Sequence, residues 1–151
     1  MIAQAGFTLK APEGGSVFFW LVPVTDPAVG NWEATVEWTF ATNTMYVYVA
    51  NGACTVQQFQ SVDCPNGAAC PCTFTIRSET MVPKPRVLTI PNAPGGTRTL
   101  IMMNLGPREE AGNYTVRLTS TSSSSATGLR AVTSTEAVSR VLTSWKQISL
   151  R

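Results

Sequence analysis

An all-β, antiparallel sandwich or barrel of about nine short strands, followed by one amphipathic helix, is the fold class this sequence predicts. Three observations predict it. Strand-length stretches alternate apolar and polar residues with a period of two, above all from Trp32 to Phe40. Clusters of Pro, Gly and Asn interrupt those stretches at short intervals. No helical period appears before Ser120.

The organising stretch is WEATVEWTFATNTMYVYV, from Trp32 to Val49. Trp32, Ala34, Val36, Trp38 and Phe40 fall on one side, and Glu33, Thr35, Glu37 and Thr39 on the other. A strand sends successive side chains to opposite faces, so one face is buried and the other solvated. ATNT supplies turn residues and MYVYV resumes with β-branched and aromatic side chains, so two strands joined at Asn43 are expected as a hairpin.

Upstream, Gly6 to Leu9 reads as a short first strand before the turn PEGG. The apolar run VFFWLV, Val17 to Val22, is expected to be a strand covered on both faces. An exposed edge used in assembly is the alternative. Pro23, Pro27 and Gly30 are expected to break the chain before Trp32. Downstream, Asn51-Gly52 marks a turn, Thr55 to Phe59 is a further strand candidate, and a cysteine-bracketed loop follows. Thr73 to Arg77 alternates, and Pro83 and Pro85 keep MVPKPR extended. Val87 to Ile90 reads as a strand ending at Pro91. Thr97 to Leu105 is a long strand, GPREEAGN loops back, and Tyr114, Val116 and Leu118 alternate in the closing strand.

The chain then changes character. Residues 119–132 open with TSTSSSSAT, a composition that buries no core and reads as a linker, able to carry O-glycans in a host that makes them. From Thr133 the pattern turns helical. Thr133 and Glu136 have the capping-box spacing, and Val138, Val141, Leu142, Trp145 and Ile148 fall on one stripe. The expected organisation is a β-sandwich over 1–118, a linker over 119–132 and a helix over 133–151. An isolated helix of this length is marginal in water, so its stripe needs a cover. The chain's own sheet or a second copy is favoured over lipid, because Arg140, Lys146 and Arg151 each add only roughly 1 kcal/mol near an anionic surface.

Composition narrows the function. A chain of 151 residues suits one domain with a real core. Charged residues make up only 13%, about half the usual share, which points outside the cytosol. The formal net charge of +2 is spread thinly, with no Lys/Arg cluster, so nucleic acid is not an expected partner. Histidine is absent, which removes Ser-His-Asp and Cys-His catalysis and imidazole metal sites and argues against an enzyme. No cofactor is implied. No apolar run approaches the roughly 20 residues that a membrane-crossing helix needs. The N-terminus lacks the basic region and cleavage site of a signal peptide, so export would mean that this sequence starts after its signal, with Met1 added.

The four cysteines, Cys54, Cys64, Cys70 and Cys72, lie in one short segment. Structural zinc usually takes ligand pairs two to four residues apart, which this spacing does not supply. An even count at low charge favours two disulfides in an oxidising compartment. The preferred pairing is Cys64–Cys70 around PNGAA, with Cys54–Cys72 tying neighbouring strands.

Other candidate sites meet plainer alternatives. Glu33 and Glu37 share a strand face, but at ~3.3 Å per residue they stand about 13 Å apart, beyond the roughly 5 to 9.5 Å of glycosidase pairs. Glu109 and Glu110, joined by Asp26 or Asn104, are a candidate calcium shell, yet no calcium-loop pattern is present, and no metal is expected. Trp20, Trp32 and Trp38 read as core rather than as a sugar-stacking platform. Tyr46 and Tyr48, opposite in parity to Val47 and Val49, are the candidates for an exposed aromatic contact surface. Asn113-Tyr114-Thr115 is a glycosylation sequon.

The order WEATVEWTF, MYVYVANG, GTRTL and YTVRL resembles that of bacterial pre-peptidase C-terminal domains, over roughly Gly6 to Ser120. Those domains run an aromatic strand, a strand of the YVYV kind, a G-T-x-T-L strand and a closing Y-x-V-x-L strand. The resemblance implies a jelly-roll-like sandwich, a non-catalytic accessory domain of an exported protein, with no catalytic residues to carry over. The cysteine segment and the C-terminal helix depart from that pattern. The expected function is therefore a secreted binding or accessory module contacting protein or polysaccharide at the cell exterior. A structural, self-assembling extracellular protein, joined to other copies through the Val17–Val22 strand or the C-terminal helix, is the alternative.

Overall fold

The computed structural model describes residues 1–59, 72–79 and 84–121, together with the backbone of 146–149. Two antiparallel sheets pack face to face as a β-sandwich. Sheet A holds β1 (Ala3–Leu9), β3 (Gly30–Trp38), β6 (Arg86–Ala93) and β8 (Glu110–Ser120) in the order β1-β8-β3-β6. Sheet B holds β2 (Ser16–Asp26), β4 (Met45–Asn51), β5 (Thr73–Ser78) and β7 (Gly96–Asn104) in the order β5-β4-β7-β2. A short strand, β9 (Lys146–Ser149), lies beside Ser16–Phe19 on the outer edge of β2. The single described helix, α1 (Val56–Phe59), is one turn long.

The period-two pattern of β3 is realised as read. Trp32, Ala34 and Val36 are fully buried and Trp38 nearly so, while Glu37 is exposed. They meet Val22, Val24, Met45, Val47, Val49, Leu100 and Met102 from sheet B, and this contact is the core. Phe40 does not belong to that face: it lies beyond the end of β3, 38% exposed, with the Arg108 guanidinium over its ring.

The expected hairpin at Asn43 is corrected. β3 and β4 belong to different sheets, so the connection is an arch across the sandwich rather than a ladder turn. Asn43 is buried inside that arch, and its amide donates to Asn104 Oδ1 at 3.1 Å and to the Arg108 carbonyl at 3.0 Å. Gly106 approaches so closely that a Cβ there would sit 1.4 Å from Asn43 Oδ1. The arch is chosen by partners far along the chain, which a local turn pattern does not encode.

Of the prolines expected to break the chain, Pro27 lies between β2 and β3, whereas Pro23 and Pro91 lie within strands. β2 runs through Pro23 to Asp26 and β6 through Pro91 to Ala93. At these positions each strand has one described neighbour, and an edge position tolerates a residue without an N–H. The expected strand at Thr55–Phe59 is helical from Val56, capped reciprocally by Thr55 and Gln58 in a T-x-x-Q box. β8 begins at Glu110 and continues to Ser120, so the expected linker loses its first two residues to the sheet. The expected C-terminal helix is corrected at Lys146–Ser149, which is extended, the edge of β2 offering backbone partners there. Val138, Val141, Leu142 and Trp145 lie outside the described residues, and Ile148 falls in β9.

Candidate functional site

The two outer faces of the sandwich differ in chemistry. On sheet A, Gln4, Asn113, Arg117, Asn31, Glu37 and Thr89 are all exposed. On sheet B, strand register assembles apolar rows: Tyr46, Met103 and Phe19 form one, and Tyr48, Ile101 and Leu21 the next. The side chains of β7 alternate here between two buried environments, Leu100 and Met102 entering the core and Ile101 the outer cluster. This explains why VFFWLV and TLIMM are continuous apolar runs: both faces are covered.

The outer cluster is a second small core. Phe19, Leu21, Tyr48, Ala50, Cys54, Cys72 and Ile101 are its buried members, and Tyr46, Val56, Phe59, Phe74 and Met103 pack around them half-buried. Tilted ring contacts link Phe59 to Phe19 at 5.0 Å and Tyr48 to Phe74 at 5.4 Å, so α1 and the Phe74 ring of edge strand β5 cover the outer face of the sheet. A Cys54–Cys72 disulfide fastens this cap, its Cα atoms 5.4 Å apart. Thr99 anchors the entry to it, accepting from Cys54 N–H and donating to the Gly52 carbonyl. Cys64 and Cys70 lie outside the described residues.

Tyr48 is therefore not the exposed ring that parity suggested. It is 6% exposed, because Phe59 and Phe74 lie against it. Its hydroxyl donates to Glu79 Oε1 at 2.8 Å, and the Arg77 guanidinium donates to the same oxygen at 2.6 Å. Burial, reinforced by the adjacent Glu79 carboxylate, pushes the Tyr48 phenol well above its usual range. The phenol's hydrogen bond, followed by that of Arg77, holds the Glu79 carboxyl below its ordinary value. Tyr46 stands half-buried beside this group, its ring edge-on to Tyr48 at 6.4 Å. The accessible surface is thus a rim of Tyr46, Phe74 and Met103, flanked by the Arg77–Glu79 pair, whose side chains are 45% and 41% exposed. Strand parity singles out Tyr46 and Tyr48 and carries no sign of Phe74, Met103 or the Arg77–Glu79 pair. The T-x-x-Q box at Thr55–Gln58, which predicts a helix start, was the available signal for the cap.

The remaining candidates separate in space. Asp26 pairs with Gly96 in register, whereas Asn104 pairs with Phe18, so they occupy opposite ends of the β2–β7 ladder. Asp26 is buried and forms an ion pair with Arg98, which also donates to the Pro94 carbonyl at 2.6 Å. Burial raises the Asp26 carboxyl, and Arg98 opposes that shift. Asn104 donates to the carbonyls of Leu9, Lys10 and Arg108, tying the end of β1 to the loop before β8. Glu110 is fully buried and accepts the Phe40 N–H at 3.2 Å. These are fastenings of the fold, not one calcium shell, and no group of His, Cys, Asp and Glu among the described residues is placed to hold a metal ion. Trp32 and Trp38 are core, and Trp20 packs against it half-buried. Glu33 faces Arg117 and Glu37 faces Asn113 across β3 and β8, as separate solvated positions. Within the Val17–Val22 run, Val17, Phe19, Leu21 and Val22 are buried, and Phe18 and Trp20 pack half-buried against the core.

No family model matches the chain, and no curated protein is found to resemble it in sequence. No described helix is long and apolar enough to cross a membrane, and the disulfide is compatible with an extracellular protein.

Proposed function

We propose that the chain is a non-catalytic, exported binding module of jelly-roll type. It meets protein or carbohydrate at the cell exterior through the outer side of sheet B. The observation that carries this reading is the asymmetry of the two outer faces: among the described residues sheet B alone bears a second apolar cluster, fastened by a disulfide and rimmed by half-buried aromatic rings beside an exposed charge pair. Half-buried aromatic rings next to a fixed hydrogen-bonding group suit a sugar or protein contact. The strand orders β1-β8-β3-β6 and β5-β4-β7-β2, with most connections passing from one sheet to the other, support the jelly-roll form. The resemblance to pre-peptidase C-terminal domains points the same way. The lack of histidine supports a binding role over catalysis.

A glycan array and affinity electrophoresis on soluble polysaccharides, run with wild type and Tyr46→Ala, test the carbohydrate arm. A panel of extracellular protein domains tests the other. Tyr46→Ala is expected to weaken the interaction at least about tenfold, the range of a stacking contact, with the fold unchanged. Binding that ignores Tyr46 would move the site elsewhere.

A further inference from the structure

The four lateral strands of the two sheets are not equally protected against pairing with another chain. β6 carries Pro91 and a register shift against β3 between Gly30 and Trp32. β5 is short, shifted in register against β4, and bears Arg77. β2 carries Pro23 and is flanked by β9 at Ser16–Phe19. Prolines, bulges, charges and covering strands are the means by which natural sheets blunt an edge. β1 has none of them. It is AQAGFTL, seven residues with no charge and no proline, in unbroken register with β8 from Ala3 to Leu9. Among the described residues, no strand pairs with its other edge.

The same strand is complementary to itself. Gly6 is its midpoint. In an antiparallel pair of two copies related by a twofold axis at Gly6, Ala3 meets Leu9 and Ala5 meets Phe7 on the core side. On the outer side Gln4 meets Thr8. Pairing about one residue keeps each side chain on its own face, so apolar stays with apolar. No like charges oppose in this register; Gln4, Gly6 and Thr8 are exposed, while Ala3, Phe7 and Leu9 are buried within each copy, so the pairing leaves no apolar side chain facing solvent. We propose that β1 is a homodimerisation edge, at which sheet A of one copy joins sheet A of a second into one continuous sheet. The contact is on the opposite sheet from the Tyr46 rim and does not depend on what that rim binds.

Sedimentation velocity on the full chain, from micromolar to near-millimolar concentration, is expected to show a monomer–dimer equilibrium. Gln4 and Thr8 are both exposed, so they can be replaced without touching the core. Gln4→Lys with Thr8→Lys sets like charges opposite one another twice and is expected to raise the dissociation constant about tenfold. Gln4→Lys with Thr8→Glu sets opposite charges there and is expected to keep or tighten the dimer. A wild type that stays monomeric throughout overturns the proposal. So does a dimer that responds to neither variant, or one that both weaken equally, since either result means that positions 4 and 8 do not face each other.

Discussion

Sheet A and sheet B are built from strands of similar length, yet one outer face is wet and the other is dry. On β3 the outer positions are Glu33, Thr35 and Glu37; on β7 they are Thr99, Ile101 and Met103. The difference lies in what covers them. Among the described residues nothing covers the outer side chains of sheet A, Val87 included, whereas sheet B carries α1, the Cys54–Cys72 bridge and the aromatic side of β5. Strand alternation reports one covered face; its loss reports two. A sandwich with one dry outer face has in effect a second, smaller core, and that core decides where a partner can find apolar surface.

If this contrast is right, truncation should hurt at both cores and not on sheet A's exterior. Trp38→Ala, in the central core, is expected to cost about 3–5 kcal/mol in chemical denaturation. Ile101→Ala, facing outward but fully buried, is expected to cost about 2–5 kcal/mol. Thr35→Ala, the outward residue of the central strand of sheet A, is expected to stay within about 0.5 kcal/mol of wild type. An Ile101→Ala loss as small as that of Thr35→Ala would show that the two outer faces are alike.

The inner faces were legible in the sequence and the pairing of strands was not. β3 declared its buried side because Glu and Thr alternate with Trp, Ala and Val within nine residues. Nothing within nine residues of Asn43 reveals that the next strand enters the other sheet. That choice rests on Asn104 and Glu110, which lie 61 and 70 residues further along from the arch residues they hold. Tyr46 and Tyr48 share a parity and were read alike, but Tyr48 is covered by rings from Phe59 and Phe74, which sequence does not place above it. Pro23 and Pro91 read as stops because their edge positions depend on strand order.

The disulfide gives the next largest effect. It closes a segment of sequence separation 18, for which loop-closure entropy gives roughly 3 kcal/mol. Cys54→Ser with Cys72→Ser is expected to lose about that much in thermal or denaturant unfolding. The loss should concentrate on sheet B. Hydrogen exchange is expected to rise at β4 and β5, while the β3–β8 ladder keeps its protection. Uniform loss of protection would mean that the cap and the central core unfold as one unit.

A pH-dependent effect concerns the carboxylate that holds the arch between the two sheets. Glu110 is buried, and desolvation raises its carboxyl above the ordinary value of 4.5, only partly offset by the Phe40 and Thr39 N–H groups. A raised carboxyl means that the folded chain keeps a proton that the unfolded chain gives up. Its contribution is therefore complete below the unfolded value and lost as pH rises through the folded one. Asp26 is shifted in the same direction, and the lowered Glu79 opposes both, but from an exposed position where solvent screens it. Glutamine at 110 presents an oxygen to the Phe40 N–H at every pH and carries no charge to bury. Glu110→Gln is thus expected to match wild type most closely in acid, to gain on it toward neutral pH, and to flatten the stability profile between them. Denaturation midpoints measured at unit pH steps read this directly. Two parallel profiles would place the proton elsewhere, leaving Asp26 as the buried acid that sets the slope.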